Sequence, residues 1–422
     1  MQHVVRANFF GVTSEKSIVI IGGGPAGSLA AANLARAGRR VFLYDEKLAW
    51  EKPCGGGVTH RALVEWPFLR EAAVESKWIE QCELIGPSGR GVSFHLEQPI
   101  AIFSREVLNG LLLERAREAG AEVIRDRVVR IDGAPGNWTL QSKTGSCEAS
   151  HVVIATGARS PFRKQFSQPF RPEDMLVAAG YYIPGSGQVA KIQFLRGLQG
   201  YIWIFPRLDH FSAGICGRMD GKNTPDLRRL LEATLPQLGL SLEGAKFYAH
   251  VLPSLGPESL RNPAVSGEGW SMIGDAAGFV DPITGEGLYY AMRSAELLSQ
   301  ALLAGCPEAY ASLLRQDFLP ELERAARIAD RFYSGRWLGS GVLDRMIQFT
   351  ACSASFRELM CGLFAGTQRY QDLKRQAYRR MPRIVVESLV SAMYRGARRA
   401  SPVGANYSGE AQCRSRRWRR FP

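Results

Sequence analysis

The sequence has eight cysteines but no C-x-x-C pair and no paired spacing among them. That pattern excludes a disulfide framework and a zinc site, and it predicts free thiols in a reducing compartment. The chain also lacks an apolar run of the roughly 18 residues that a membrane span needs. Residues 1–16 lack the apolar centre of a secretory leader, so a cytoplasmic protein is expected. Acidic residues are scarce, 40 against 53 lysines and arginines. Over half of the basic excess is local: from Arg395 onward eight arginines face a single acid, Glu410. No other segment carries a nucleic-acid signature, so nucleic acid is not expected as a partner. The basic end reads either as a solvated, disordered tail or as a segment drawn to anionic lipid at a membrane surface. No internal repeat is present, and 422 residues suffice for two or three domains.

What the sequence does have is a strong organising stretch from Ser17 to Glu46. Ile18–Ile21 is a β-branched run suited to a strand buried on both faces. Gly22, Gly24 and Gly27 follow as G-x-G-x-x-G, with Pro25 and Ala26 inside the motif. The first glycine allows the tight turn, the second lets a pyrophosphate approach the backbone, and the third lets the helix pack on the sheet. A small-residue helix ends at Gly38, a second strand covers Val41–Tyr44, and Asp45 and Glu46 follow. Asp45 lies near the spacing expected of the acid that binds a ribose hydroxyl. The order of strand, glycines, helix, strand and acid predicts an adenine dinucleotide.

Two further loops refine that expectation. In KPCGGG, Cys54 precedes Gly55, Gly56 and Gly57, whose backbone can approach a flat ligand. In GDAAGFVDPITGEG, Asp275 follows a strand at Trp270–Ile273, and Pro282, Gly285, Glu286 and Gly287 turn into a long helix. A carboxylate after a strand can bind a polyol, and a helix N-terminus can stabilise negative charge on a ring. A flavin offers both, so FAD fits better than NAD. Ser104 caps a helix that ends near Gly120, and Arg105 in its first turn opposes the helix dipole, which suggests a separate task against a phosphate or ribose. His151–Ala155 is another buried strand, which leaves through Thr156 and Gly157.

Between Ser167 and Gly269 short strands alternate with turns, as in an antiparallel sheet. In GYIWIFP, Tyr201, Trp203 and Phe205 share one face, suited to a long apolar ligand or to the wall of a flavin pocket. The expected fold is α/β with an α+β second domain. A Rossmann-like FAD-binding domain spans 15–165, with a mixed, short-stranded insertion at about 62–104, and resumes over 269–305. The antiparallel substrate domain spans 166–268, a helical region 306–398 and a disordered basic tail 399–422.

The glycine fingerprint, KPCGGG, Arg105, GYIWIFP and GDAAGFVDPITGEG together resemble the geranylgeranyl reductase family, flavoproteins with the p-hydroxybenzoate hydroxylase fold. The resemblance covers roughly residues 15–380. It implies FAD held by Gly22, Gly24, Gly27, Asp45, Arg105 and Asp275, with Gly285–Gly287 at the ring and Cys54 beside it. It also implies hydride transfer to the double bonds of an apolar isoprenoid, with Cys54 as a candidate proton donor. NADPH or a ferredoxin would supply electrons, since no second dinucleotide fingerprint is visible. One departure is Leu198, where the family's aromatic motif usually has proline. A flavin monooxygenase or halogenase on the same fold, or a prenyl-binding protein without catalysis, are the rival readings. An apolar strip at Ile384, Val385, Leu389 and Met393 either packs on the body of the protein or joins the arginines after it in contact with a bilayer.

Overall fold

The computed structural model describes residues 17–71, 74–218, 224–337 and 339–400. The expectations for residues 1–16 and for the tail beyond Ala400 lie outside the described residues.

The Ile18–Ile21 run forms the centre of a six-stranded sheet and is buried along its whole length. It pairs in parallel with His151–Ile154 on one side and Val41–Tyr44 on the other. Trp270–Met272 and Glu122–Ile124 extend the parallel set, and Ser266–Gly267 adds an antiparallel edge. The helix Pro25–Arg36 is almost entirely buried because it is sandwiched between the sheet and the helices Arg105–Glu118 and Leu288–Leu303. Its small residues permit that close approach. A Cβ at Gly27 would sit 1.9 Å from the Gly22 carbonyl oxygen, so glycine is required there for packing.

The second sheet has eight strands, in the order Lys246–Pro253, Met175–Pro184, His210–Arg218, Gly200–Pro206, Val189–Gln193, Ser76–Ile85, Gly91–Phe103 and Gly57–Val58. Here the structure departs from the sequence expectation. The stretch expected as a short-stranded insertion holds two long strands, Ser76–Ile85 and Gly91–Phe103, and both belong to the substrate sheet. They join it through one parallel pair, Val189 opposite Gln81, in an otherwise antiparallel array. One face of this sheet is covered by the helix Thr224–Thr234, whose Leu227 and Leu231 pack over Val177, Ile202 and Ile215. The helices Val342–Cys352 and Ala354–Ala365 pack against the Gly91–Phe103 strand, where Leu343, Met346 and Met360 meet Ile79, Leu84 and Phe94. The glycine-rich loop after Cys54 ends in the Gly57–Val58 strand, so this loop is the bridge from the first sheet to the edge of the second.

Candidate active site

A cavity of about 1010 Å³ lies between the two sheets and the C-terminal helices. At one end its wall is the start of the Pro25–Arg36 helix. That helix has Gly24 at its N-cap, no side-chain cap and no acid in its first turn. Its free N–H groups and positive dipole end therefore face the cavity without a competing carboxylate. A Cβ at Gly24 would meet nothing within 4 Å, because the space beyond it is the cavity. Arg105 lies beside this end, only 4% exposed, with one weak contact to Asn109 and a buried Nε that has no partner. An anion-binding helix end, an open glycine and an under-satisfied buried guanidinium fit the pyrophosphate of a dinucleotide.

Asp45 also lines the cavity, and its two oxygens accept hydrogen bonds from the backbone N–H groups of Gly23, Lys47 and Leu48 at 2.6–2.7 Å. The carboxylate thus shapes the glycine loop as well as facing the cavity. Glu46 stands at the rim beside Arg127 and Lys143, each 3.7 Å away. Gly157 and Asp275 face the middle of the cavity. Asp275 forms an ion pair with Lys52 at 3.0 Å. Burial raises its pKa but the Lys52 charge outweighs that, so Asp275 is held below the ordinary carboxylate range. His250 adjoins the pair with its Nε2 unpartnered, and burial, reinforced by Lys52, pushes it down to about 4.

The loop before the Leu288–Leu303 helix is set by Asp281, which accepts from the N–H groups of Ile283 and Thr284. Gly285 has positive φ, and a Cβ there would lie 2.7 Å from the Tyr201 hydroxyl oxygen. That hydroxyl donates to the Thr284 carbonyl, which ties the substrate sheet to the turn. The expected open helix end is partly taken, because the Glu286 carboxylate accepts from the Tyr289 N–H at 2.9 Å. Burial, helped by nearby Asp281, pushes Glu286 up to about 7.

Beyond Cys54 the cavity becomes apolar, with Tyr201, Trp203 and Phe205 on one wall and Phe194, Phe332, Met360 and Phe364 on the others. The three alternating aromatics share a face as the sequence predicts. A Cβ at Gly55 would lie 2.8 Å from the Phe205 ring, so the glycine loop and this face are in contact. The Cys54 Sγ accepts from the Gly56 N–H at 3.3 Å, and its carbonyl accepts from Arg207 at 3.0 Å and Ser212 at 3.1 Å.

Two predicted residues stand apart. Gly27 is a packing position, and Pro282 lines a small separate crevice with Tyr201 and Tyr333; neither reaches the cavity. Leu198 is buried beneath the Thr224–Thr234 helix and also does not line the cavity, so the departure from the usual proline leaves the cavity lining unaltered. Sequence reasoning missed Glu51, Lys52, Arg207, Ser212, Tyr248 and His250. Glu51 is the hub: it pairs with Arg207 at 2.7 Å and accepts from the Ser104 hydroxyl and the N–H groups of Arg105 and Glu106. It joins the helix carrying Arg105 to the strand end carrying Arg207. Its position one residue before Lys52 in the bridging loop was the only signal available. No group of His, Cys, Asp or Glu suited to a metal ion occurs among the described residues.

This fold and cavity define a dinucleotide-dependent flavoprotein, and comparison with known proteins agrees. Residues 16–168 match the pyridine nucleotide-disulphide oxidoreductase family. The geranylgeranyl diphosphate reductase of Synechocystis sp. is 28% identical, over 82% of this chain and 88% of that one. The digeranylgeranylglycerophospholipid reductase of Methanoculleus marisnigri is 31% identical, over 67% of this chain and 75% of that one. Among solved structures, a geranylgeranyl bacteriochlorophyll reductase-like protein from Thermoplasma acidophilum superposes with a TM-score of 0.70, at 19% identity, over 86% of this chain and 98% of that one. A flavin-dependent brominase shares the fold, with a TM-score of 0.66 at 18% identity over 87% of this chain and 99% of that one. The protein is an FAD-dependent oxidoreductase. The chain belongs to the geranylgeranyl reductase family. That assignment sets aside the reading as a prenyl-binding protein without catalysis.

Proposed function

We propose that the protein saturates carbon–carbon double bonds of an isoprenoid chain. The observation that carries this reading is the continuity of one cavity, polar and anion-binding at the Gly24 end and lined by aromatic and aliphatic side chains beyond Cys54. FAD, once reduced, supplies the hydride. The start of the Pro25–Arg36 helix and Arg105 hold its pyrophosphate, Asp45 its adenosine ribose and Asp275 its ribityl chain. Gly55, Gly56, Gly285 and Gly287 leave room for a flat ring, and Tyr201, Trp203 and Phe205 exclude water and align the alkene. The Cys54 thiol, facing the junction of the two regions, donates the proton that an unactivated alkene needs alongside the hydride. Electrons come from NADPH visiting the cavity or from a ferredoxin.

The test is anaerobic reduction of the purified protein followed by addition of polyprenyl lipids. Flavin reoxidation with formation of a saturated product supports the reading. Reoxidation that requires oxygen, with a hydroxylated or halogenated product, would assign the protein instead to the chemistry of its brominase-like neighbours.

A further inference from the structure

The C-terminal helix Tyr370–Ala400 begins in the cavity wall, where Tyr370 and Leu373 line the apolar chamber with Leu363 and Phe364. One side of it packs along the preceding helices, where Arg380 donates to the Ser355 carbonyl and to Glu358, and Glu387 accepts from Ser353 and Ser355. The other side presents an uncovered apolar face. Among the described residues, seven of the fourteen exposed large hydrophobic side chains belong to this one helix. Tyr378, Met381, Val385, Leu389 and Met393 recur at helical spacing, and Val386 and Val390 widen the strip. Met393 is 72% exposed and Tyr378 66%. Ile384, on the opposite side, is buried against the protein. The strip expected at Ile384, Val385, Leu389 and Met393 is therefore split: its first member packs inward and the other three face out. Exposed Arg379 and Arg383 run along one border, and Lys374 and Arg375 precede the strip. In sequence, Arg395, Arg398 and Arg399 follow it.

We propose that this face lies in the surface of an anionic lipid bilayer, with the apolar strip among the acyl chains and the basic residues at the headgroups. The charge supports lipid over a second copy of the chain, since two copies would bring these arginines together. If the proposed isoprenoid reaction is right, the same helix places the mouth of the apolar chamber at the membrane from which such a substrate comes, and only this clause rests on that reading.

The experiment is co-sedimentation of the full-length, FAD-loaded protein with vesicles of phosphatidylcholine containing phosphatidylglycerol, without substrate. The wild type is expected to bind, and to bind less as salt rises. The double substitution Val386→Glu and Leu389→Glu, both at exposed positions, is expected to weaken binding by at least about tenfold. Arg379→Gln with Arg383→Gln should weaken it by roughly fivefold per charge, from about 1 kcal/mol each. If the glutamate pair disturbs the fold, judged by circular dichroism and flavin content, Val386→Ser with Leu389→Ser replaces it. Vesicle binding unchanged in the folded variants overturns the proposal. So does a switch from dimer to monomer with no loss of vesicle binding, which would make the face a contact between copies. Each of these outcomes is independent of whether any isoprenoid is reduced.

Discussion

Arg207→Met tests the junction that holds the Cys54 loop. The Arg207 side chain is 3% exposed and bridges the Glu51 carboxylate at 2.7 Å and the Cys54 carbonyl at 3.0 Å. Methionine keeps much of the volume but removes the charge. Glu51 then keeps the Ser104 hydroxyl and two backbone N–H groups, and the Cys54 carbonyl keeps Ser212. Breaking a buried pair costs about 3–5 kcal/mol. The remaining donors, and a Glu51 side chain that is 25% exposed, place this case at the lower end, about 3 kcal/mol. Glu51→Gln, which weakens a charged hydrogen bond but leaves an acceptor, should cost about 1.5–3 kcal/mol. The two changes share one interaction, so the double variant should be more stable than the sum predicts, by about 1–3 kcal/mol. Guanidinium unfolding at saturating FAD measures all three. Burial opposes ionisation of Glu51, but Arg207 and the Ser104 hydroxyl outweigh it and hold the carboxyl below its ordinary range. Its contribution is therefore present above the ordinary carboxylate pKa and lost as pH falls through the lower folded value. The gap between wild type and Arg207→Met should narrow over that window. Strict additivity in the double variant, or a gap indifferent to acid, would refute the coupling.

Other expectations follow from the same site. Asp275→Asn removes the carboxylate that pairs with Lys52, and FAD affinity should fall about ten- to hundredfold, read from flavin release on dilution. Cys54→Ser should leave anaerobic flavin reduction unchanged but slow reoxidation by an isoprenoid about 10²–10⁴-fold; equal slowing of both half-reactions would reveal a distorted loop. Glu286, raised to about 7, binds its proton more tightly folded than unfolded, so wild-type stability should fall as pH rises from the ordinary glutamate value to about 7. Glu286→Gln should remove that fall and melt higher than wild type at pH values above the window. A parallel decline in both proteins would assign it to another group.

The parts of the fold readable in sequence are those whose signals are local. Ile18–Ile21 is apolar throughout because both of its faces are covered, and GYIWIFP alternates because only one face meets the cavity. Asp275 and the glycine turns could be found because their backbone geometry demands particular residues in a short window. Ser76–Ile85 was opaque for the opposite reason. Its charged residues interrupt the alternation, and the strand that joins this hairpin to the rest of the sheet, Val189–Gln193, comes about a hundred positions later. Lys52 opens the KPCGGG motif but its role was not readable from it, and Arg207 carried no motif, since the residues that give them meaning are 223 and 156 positions away. Gly27 was read from the fingerprint as the glycine that lets helix pack on sheet, and that contact accounts for it. Pro282 was placed in the site by its place in the turn before Gly285, and the shape of that turn accounts for it.

The single parallel pair between Val189–Gln193 and Ser76–Ile85 has a consequence for how the molecule is made. The chain enters the first sheet, leaves for the second, returns, leaves again, and comes back to complete the first with Trp270–Met272. On a ribosome, the Ser76–Phe103 hairpin emerges long before the strand that will anchor it, and must wait with an apolar face uncovered. Neither sheet can be excised by cutting the chain at one place, because each is threaded through the other's sequence. Assembly is therefore governed by contacts between distant segments, which are slow to find. The two sheets should melt as a single cooperative unit, with no surviving half able to retain the flavin.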